Sequence, residues 1–491
     1  MVDLSAVKSE EFIPGWEMVI GLEVHCELKT ETKLFCGCRN AFGAEPNTNV
    51  CPVCLGLPGS LPVINEKAVE LAIRIGLSLN CEIIESIFHR KNYFYPDMPK
   101  DYQISQYERA INENGFLDLP LTGKRVRIER AHIEEDTGKS THLGGEGGRI
   151  HGASHSLVDY NRAGIPLVEI VSAPDLRSPD EAREYVAELR SILLACGASD
   201  GKMEEGSLRV DANVSVRRSG SDQFGTRCEI KNLNSLRSLT RAIAYEAHRQ
   251  VDLIESGGSV IQQTRHFNED QGVTSAMRSK EEAYDYRYFP EPDLVPLGFS
   301  PEQVAEIRSH IGMLPAQRRQ RLLGFFEASP SDSTYDQVVT AVSLSLDDLV
   351  VKAIESGAEP RLALARATNE IAGEIEKVDK VSPTNFAALV KLESQGKLSA
   401  TQAKKVLSQM LETGDSALEI AKSLGFEALD ASVTEDFLNQ VITNSPSEWE
   451  RFKLGEDQLS GFFVGQVMKL SRGKADGKVV TALLQAKRAN Y

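Results

Sequence analysis

Polar and apolar residues alternate along several stretches of the first 300 residues, as they do in β-strands that have one buried face. In MVIGLEVHCEL (18–28), one face would hold the apolar residues and Cys26, because successive side chains of a strand point to opposite sides. The other face would hold Glu23, His25 and Glu27. An imidazole between two carboxylates suits a divalent metal ion, although a solvated strand face has the same pattern.

A second alternating pair of segments predicts an antiparallel hairpin. SLRVDANVSVR (207–217) is separated from TRCEIKNLNS (226–235) by a turn rich in serine and glycine. The charged and amide side chains on their polar faces are Arg209, Asp211, Asn213, Glu229 and Lys231. Such a dense mixture of charges favours a ligand over plain solvent, and the solvated face remains the alternative.

Helical patterns are sparse in this region and continuous after it. Ser178 and Pro179 predict the start of one helix that ends at Gly197, and a second helix is predicted from Ser235 to the glycines at 257–258. From Ser300 onward almost all the periodicity is helical. We therefore predict an α+β domain over 1–297, followed by two all-α domains over 298–410 and 411–491.

Composition places the chain in a broad class. The 491 residues include 26% charged residues, carry a formal net charge of −16, and contain no apolar run long enough to cross a membrane. The first residues, MVDLSAVKSEEF, resemble neither a secretory signal nor a transit peptide. Eight cysteines in so long a chain favour a reducing compartment, so a cytoplasmic protein without membrane partners is expected.

Four of the cysteines are clustered in sequence. Cys36 and Cys38 form a CxC motif, and Cys51 and Cys54 form a CxxC motif. Four thiolates close a tetrahedral zinc site and leave no position for water, so a structural zinc is predicted, with iron or free buried thiols as alternatives. A catalytic zinc site built from His25 and the CxxC motif, as in deaminases, fits less well because four cysteines are present.

Two further polar segments are candidates for nucleotide contacts. HIEEDTGKST (132–141) holds Glu134, Glu135, Asp136 and Lys139 and leads into a glycine-rich loop at 144–148. Its GKS ending is not a P-loop, because Ile133 stands where the first glycine is required. SAMRSKEEAYDYRYFPEPDL (275–294) contributes Arg278, Lys280 and Arg287 among aromatic residues.

Several longer motifs carry a resemblance to a known family. VDYNRAGIPLVEIVSAPD (158–175) is very similar to the signature of the B subunits of bacterial aspartyl/glutamyl-tRNA amidotransferases. IGLEVH, YFYPDMPKDYQISQYE, EEGSLRVDANVSVR, EIKNLNS and DYRYFPEPDL also match, in order. The resemblance covers the chain after a short N-terminal extension, and Asp101 stands where glycine is usual.

The resemblance implies a fold and a reaction. The catalytic domain would have the antiparallel sheet of glutamine synthetase. It would use ATP to phosphorylate the side-chain carboxylate of glutamate on tRNA(Gln), of aspartate on tRNA(Asn), or of both. Ammonia from a glutamine-hydrolysing amidase A subunit would then displace the phosphate, and a small C subunit would complete a heterotrimer. A zinc-dependent hydrolase or deaminase that acts on RNA is the alternative.

The same resemblance implies roles for the polar residues. Glu23, His25 and Glu134 are the expected Mg²⁺ ligands, with Glu135 or Asp136 as substitutes. The residues expected to act in catalysis together with them are Lys139, Arg209, Asp211 and Lys231. Those expected to bind the nucleotide are Glu169, Asn213, Glu229, Arg278 and Lys280.

The C-terminal tail is expected to bind tRNA. Between Gly465 and Tyr491 lie six basic residues and one acidic residue, a local charge of +5 in an acidic chain. A polyanionic substrate gives such a patch a purpose, because the rest of the protein would repel it. A solubilising helical face is the alternative.

Overall fold

The computed structural model describes residues 12–144, 152–277, 286–327, 332–426, 431–471, 475 and 477–489. By its internal contacts the chain divides into two compact units, Met1–Gln317 and Arg318–Tyr491. The first unit contains all the strands of the described residues, and the second is helical.

The strands of the first unit form one large sheet and two small ones. Their bounds are β1 (Trp16–Glu27), β2 (Glu82–Ile83), β3 (His89–Asn92), β4 (Tyr102–Ser105), β5 (Asn112–Asp118), β6 (Arg125–Glu135), β7 (Lys139–Leu143), β8 (His155–Asp159), β9 (Pro166–Ser172), β10 (Leu208–Arg218), β11 (Cys228–Leu233), β12 (Gln263–Asn268), β13 (Val273–Ala276) and β14 (Phe289–Pro290). The large sheet has nine strands in the order β13-β12-β11-β10-β1-β9-β6-β5-β2. The small sheets are β14-β3-β4 and β7-β8.

The predicted strand faces are confirmed. On β1 the residues Ile20, Leu22 and Val24 are buried, and the apolar residues of β10 are buried with them in one core. The hairpin is also confirmed, since β10 pairs with β11 in antiparallel register. The polar residues of both strands therefore share the opposite side of the sheet.

The sheet is mixed, which corrects the expectation of a purely antiparallel one. Strands β11 and β12 run parallel, with Glu229 opposite Thr264. A parallel pair cannot be joined by a tight turn and needs a crossover. The crossover here contains the long helix predicted from Ser235, which packs on β10 and β11.

Four helices of the first unit pack on strands of the large sheet or on one another. They are α1 (Glu66–Ser78), α2 (Pro179–Ala195), α3 (Leu236–Glu255) and α4 (Pro301–Ser309). Both helix starts predicted in this unit are confirmed: the hydroxyl of Ser178 caps α2 and that of Ser235 caps α3 by accepting a backbone N–H three residues on. With one face covered by helices, the sheet leaves its polar face for a ligand.

The remaining helices follow α5 (Pro315–Leu323), which contains the boundary between the units. They are α6 (Ser333–Ser343), α7 (Asp347–Glu355), α8 (Pro360–Asn369), a 3-10 helix (Ile371–Lys380), α9 (Pro383–Ser394), α10 (Ala400–Thr413), α11 (Ala417–Ser423), α12 (Ala431–Asn444), α13 (Pro446–Lys453), a short 3-10 helix (Asp457–Leu459), α14 (Ser460–Leu470) and α15 (Gly477–Ala489). Among the described residues, no helix is both long enough and apolar enough to cross a membrane.

The second unit holds two separate hydrophobic cores. One extends from Leu322 to Ala421 and the other from Leu438 to Leu484. Residue 411 lies within α10, and its side chain belongs to the first of these cores. The division into domains over 298–410 and 411–491 stays a prediction, and the gap between the two cores lies C-terminal to residue 421.

One departure from the family motifs lies at Asp101, where glycine is usual. The backbone of Asp101 has a φ of 63°, in the left-handed region that glycine adopts without cost. Aspartate tolerates this region better than most residues. The substitution is therefore compatible with the same turn.

Candidate functional site

The polar face of the large sheet gathers side chains from five neighbouring strands, β11, β10, β1, β9 and β6. The register sets the neighbours of each residue. Glu23 of β1 lies opposite Asp211 of β10, and His25 lies between Arg209 on one side and Glu169 of β9 on the other. Residues that are far apart in sequence are thus brought side by side.

One acidic group surrounds His25. Its Nε2 atom lies 3.6 Å from a carboxylate oxygen of Glu169 and 3.8 Å from one of Glu134. His132 of β6 lies 3.5 Å from Glu169 and 3.8 Å from Glu134. The possible ligand atoms of His25, Glu134 and Glu169 all lie within 4.8 Å of one another, as a metal site requires.

The pKa values in this group reflect a strongly negative site. Burial opposes the charging of His25, but the hydrogen bond and charge of Glu169, with the charge of Glu134, raise its pKa to about 9. Burial and repulsion by Glu169 raise the pKa of Glu134 to about 7. Burial lowers the pKa of His132 to about 4. A site negative enough to keep His25 protonated would also favour a metal cation in place of that proton.

A second acidic group lies next to the first. The carboxylates of Glu23, Asp211 and Glu229 have oxygen atoms within 4.8 Å of one another. Lys231 lies 2.8 Å from both Asp211 and Glu229, and the amide of Asn213 donates a hydrogen bond of 2.9 Å to Glu23. Burial, with repulsion by Glu169 and Glu229, raises the pKa of Glu23.

The donor atoms of both groups fit a hard divalent cation. Three carboxylates in the second group offer only oxygen, the ligand that Mg²⁺ prefers, and the first group adds one imidazole. In each group the negative charges outnumber the positive ones, so a bound cation would relieve the repulsion. The predicted set of Glu23, His25 and Glu134 differs from this arrangement, because Glu23 belongs to the second group.

A buried carboxylate holds two guanidinium groups beside the acidic groups. Asp136 follows β6, and its Oδ2 atom lies 2.8 Å from Arg209 Nη2 and 3.5 Å from Arg162 Nε. Burial opposes its charging, but Arg209 and Arg162 lower its pKa. The buried Nε of Arg209 has no hydrogen-bond partner among the described residues. An anionic ligand could supply that partner.

Glu135 is placed differently from its neighbours. It forms an ion pair with Lys100 and accepts a hydrogen bond of 2.9 Å from the backbone N–H of Ile104. Both members of the pair are buried. Glu135 thus holds β4 against β6, whereas Asp136 binds the guanidinium groups of Arg209 and Arg162.

Two groups of predicted residues lie elsewhere or outside the described part. Lys139 is exposed on β7, in a separate two-stranded sheet. Arg278 and Lys280 fall outside the described residues. The glycine-rich loop at 144–148 is described only at Gly144.

Two site residues were missed by the sequence reasoning. His132 could have been found, since it lies two positions before Glu134 and so on the same strand face. Arg162 had no such signal, because it lies in a connection between strands. Its position depends on contacts with residues that are distant in sequence.

The four clustered cysteines come together. The Sγ atoms of Cys36, Cys38, Cys51 and Cys54 all lie within 4.8 Å of one another, and those of Cys51 and Cys54 are 3.8 Å apart. Four sulfurs at about 2.3 Å from one zinc ion would be about 3.8 Å apart. Tetrahedral zinc therefore fits this cluster.

Local contacts favour thiolate at Cys54. The backbone N–H of Cys51 donates to its sulfur at 3.1 Å. A hydrogen bond from the Cys36 thiol, with the nearby charge of Lys33, lowers the pKa of Cys54 to about 5 despite its burial. His25 belongs to a different group of possible ligands, so the geometry does not join it to the cysteines.

Comparison with known families covers most of the chain. Residues 18–305 match the family model described as the GatB/GatE catalytic domain, and residues 348–487 match the model described as the GatB domain. The first match spans the whole polar face and the cysteine cluster.

Curated relatives are similar over nearly their full length. The chain is 50% identical over 489 residues to the B subunit of the aspartyl/glutamyl-tRNA(Asn/Gln) amidotransferase of Frankia casuarinae. The aligned region covers 96% of each chain. It is 47% identical over 503 residues to the protein of that name from Nostoc punctiforme, and the aligned region covers 99% of each chain. The protein of that name from Thermodesulfovibrio yellowstonii is 46% identical over 480 residues, with 96% of this chain and 98% of the relative covered.

Proposed function

Because this chain belongs to the family of B subunits of the aspartyl/glutamyl-tRNA(Asn/Gln) amidotransferases, we propose that it catalyses ATP-dependent transamidation of misacylated tRNA. A side-chain carboxylate oxygen of the tRNA-bound glutamate or aspartate attacks the γ-phosphorus of ATP, and ADP leaves. The nitrogen of ammonia then attacks the acyl carbon, phosphate leaves, and a proton is released. Glutaminyl- or asparaginyl-tRNA is the product.

One observation supports this reaction best. Two adjacent acidic groups share a rigid sheet face with the cations Arg209 and Lys231. Phosphoryl transfer requires mainly positioning and charge neutralisation, with little covalent chemistry by the protein. A face of fixed carboxylates and cations supplies both functions.

The site residues have different proposed roles according to their position on the polar face. Bound Mg²⁺ would neutralise phosphate charge during transfer. His25, Glu134 and Glu169 would hold one ion, and Glu23, Asp211 and Glu229 could hold a second. Arg209 and Lys231 would contact phosphate oxygens, and Asn213 would orient Glu23. Lys139, Arg278 and Lys280 keep their predicted roles as catalytic and nucleotide-binding residues.

Family membership and the geometry of the four cysteines support the remaining components. Ammonia is supplied by a glutamine-hydrolysing A subunit, and a small C subunit completes a heterotrimer. Zinc at the four cysteines is structural. The sheet is related to that of glutamine synthetase, and the protein acts in the cytoplasm, where aminoacyl-tRNA is used. The deaminase alternative is not favoured, because no histidine joins the four cysteines in the described residues.

Turnover of ATP by the reconstituted complex tests this function. We expect ADP release to require both Mg²⁺ and misacylated tRNA, and correctly acylated tRNA to be the matched control. Both glutamyl-tRNA(Gln) and aspartyl-tRNA(Asn) should be supplied, with the products identified after deacylation. Activity that survives removal of Mg²⁺ while the zinc stays bound would favour a zinc hydrolase and reject the proposal.

We expect the helices that enclose the last core of the second unit to bind tRNA. Removal of residues 427–491 should weaken tRNA binding and flatten its salt dependence, since each phosphate contact adds about 0.9 to the slope of log affinity against log salt. This cut leaves α10 and α11 in their own core, which a cut at residue 411 would not do. Binding measured by fluorescence anisotropy at several salt concentrations provides the slope.

Among the described residues of the tail, two cations form ion pairs, so single substitutions of tail cations should differ in their effect on the salt dependence. Lys487 lies 2.6 Å from Glu435, and Arg488 lies 2.5 Å from Asp457. Lys469 is exposed at the end of α14. Lys469→Gln should reduce the slope more than Lys487→Gln does. An unchanged affinity and slope after removal of the whole segment would assign the tail to a solubilising role.

A further inference from the structure

The loop that carries the four cysteines is joined to residues 158–161, at the end of β8 and the start of the connection to β9, by a clasp of asparagines, which we define as Asn47, Asn49 and Asn161. The amide of Asn47 donates to the carbonyl of Val158 at 3.0 Å and accepts from the N–H of Tyr160 at 2.8 Å. The backbone N–H of Asn49 donates to Asn161 Oδ1 at 2.8 Å.

Further contacts tighten the same junction. Asn161 Nδ2 donates to the carbonyl of Glu45 at 2.7 Å, and the backbone N–H of Asn47 donates to Asp159 at 3.0 Å. The fully buried Lys33 donates to the carbonyl of Asn49 at 3.0 Å. Segments 44–49 and 158–161 are therefore held together by a continuous set of hydrogen bonds.

Arg162 follows this junction directly in the chain. Its Nε donates to the carbonyl of Thr137 at 3.0 Å, and its Nη2 donates to that of Gly138 at 3.1 Å. Its Nε also lies 3.5 Å from Asp136, the carboxylate that binds Arg209. The planar guanidinium thus fixes the chain after β6 at the point where Asp136 orients Arg209.

Cys54 of the cysteine cluster lies beside the same connection at Gly164. Gly164 has a φ of 86°, and a Cβ atom built there would lie 3.6 Å from Cys54 Cβ and 3.6 Å from Lys33 Cδ. The N–H of Gly164 donates to the carbonyl of Asp136 at 2.9 Å. The cluster and the asparagine clasp therefore both lie against the short connection between β8 and β9.

We propose that Arg162 is a positioning residue for Arg209, and that the four-cysteine loop holds Arg162 in place through the asparagine clasp. This inference rests on the proposed function in that Arg209 contacts phosphate. Its consequence is that metal bound by the cysteines sets the geometry of the phosphate site, beyond stabilising the fold. Small displacements of a positioned group are costly, since about 1 Å can cost about 100-fold in rate.

The test uses Asn47→Gly in the full-length chain. Asn47 has a φ of 60°, so glycine keeps the backbone and its N–H while the two side-chain hydrogen bonds are lost. Asn80→Gly is the matched control, because Asn80 also has a positive φ, of 58°, and lies between α1 and β2. Binding of a β,γ-imido analogue of ATP with Mg²⁺ is measured by calorimetry, and zinc content and Tm are measured alongside.

We expect Asn47→Gly to weaken analogue binding and to lower kcat/KM for tRNA-dependent ATP hydrolysis by about tenfold, with zinc retained and Asn80→Gly unaffected. Reversible chelation of the zinc, at a temperature below the Tm of the zinc-free protein, should weaken analogue binding by the wild type to a similar extent. The two changes should not add, because they act through one connection. Arg162→Lys should reproduce the loss, since lysine cannot bridge both carbonyls.

Three outcomes would overturn the proposal. Analogue binding by Asn47→Gly equal to that of Asn80→Gly would show that the clasp does not reach the phosphate site. Additive effects of chelation and Asn47→Gly would show that the zinc and the clasp act on the phosphate site independently. Full activity of Arg162→Lys would show that only the charge of residue 162 matters, and not its two bridging hydrogen bonds. If Asn47→Gly fails to fold, Asn161→Ala cuts the same clasp from its other side. Failure of the proposed function is seen separately, as wild-type ATP turnover that ignores misacylated tRNA.

Discussion

Replacement of His25 by alanine is expected to lower amide formation on misacylated tRNA by on the order of 10² to 10³-fold, the loss usual when one charge-stabilising group is removed. His25 lies at the centre of the first acidic group, between Glu134 and Glu169. Without its imidazole, the buried carboxylate of Glu134 and the half-buried one of Glu169 face each other, and a cation has one ligand fewer. Glutamine hydrolysis by the proposed amidase A subunit should remain measurable, because that reaction would take place on another chain.

Glu23→Ala tests the second acidic group in the same assay. Glu17→Ala is its matched control: Glu17 lies on the same strand, β1, and pairs with Arg217 and Arg177 away from the acidic groups. His310→Ala, at an exposed helix end, is the control for His25→Ala. Transamidation rates are measured across a Mg²⁺ titration. Near-wild-type rates for both site variants at limiting Mg²⁺ would remove these residues from the metal site.

Cys51→Ser should release about one zinc per chain and destabilise the first unit without changing the type of reaction. A closed thiolate site contributes free energy to folding, and serine is a poor substitute ligand. In a domain of this size, a loss of about 2 kcal/mol lowers the Tm by roughly 3–5 °C. Zinc is measured by elemental analysis and stability by thermal unfolding.

Cys81→Ser provides the control for the cysteine prediction. Cys81 is buried outside the cluster, so the same substitution tests the cost of burying a hydroxyl without loss of metal. Cys81→Ser should retain its zinc. A Cys51→Ser protein that loses its zinc but keeps the wild-type Tm would contradict the structural assignment. The residual activity of Cys51→Ser, compared with that of Asn47→Gly, also shows how strongly the four-cysteine loop affects the phosphate site.

Properties that depend on near neighbours in the chain were determined by the sequence alone. The alternation in 18–28 predicted which face of β1 is buried, because side chains of a strand point to opposite sides in turn. Ser178 and Ser235 predicted two helix starts, because a cap acts within one turn. The CxC and CxxC spacing predicted one four-sulfur cluster for the same reason of proximity.

The pairing of distant segments was decided only by the tertiary structure. Glu23 and His25 share a strand face, yet they belong to different acidic groups, because β10 lies on one side of β1 and β9 on the other. No local pattern contains that strand order. The parallel alignment of β12 and the place of Arg162 beside Asp136 were likewise hidden. Residue types and faces follow from local geometry, whereas the partners of each charge depend on which segments pair across the whole chain.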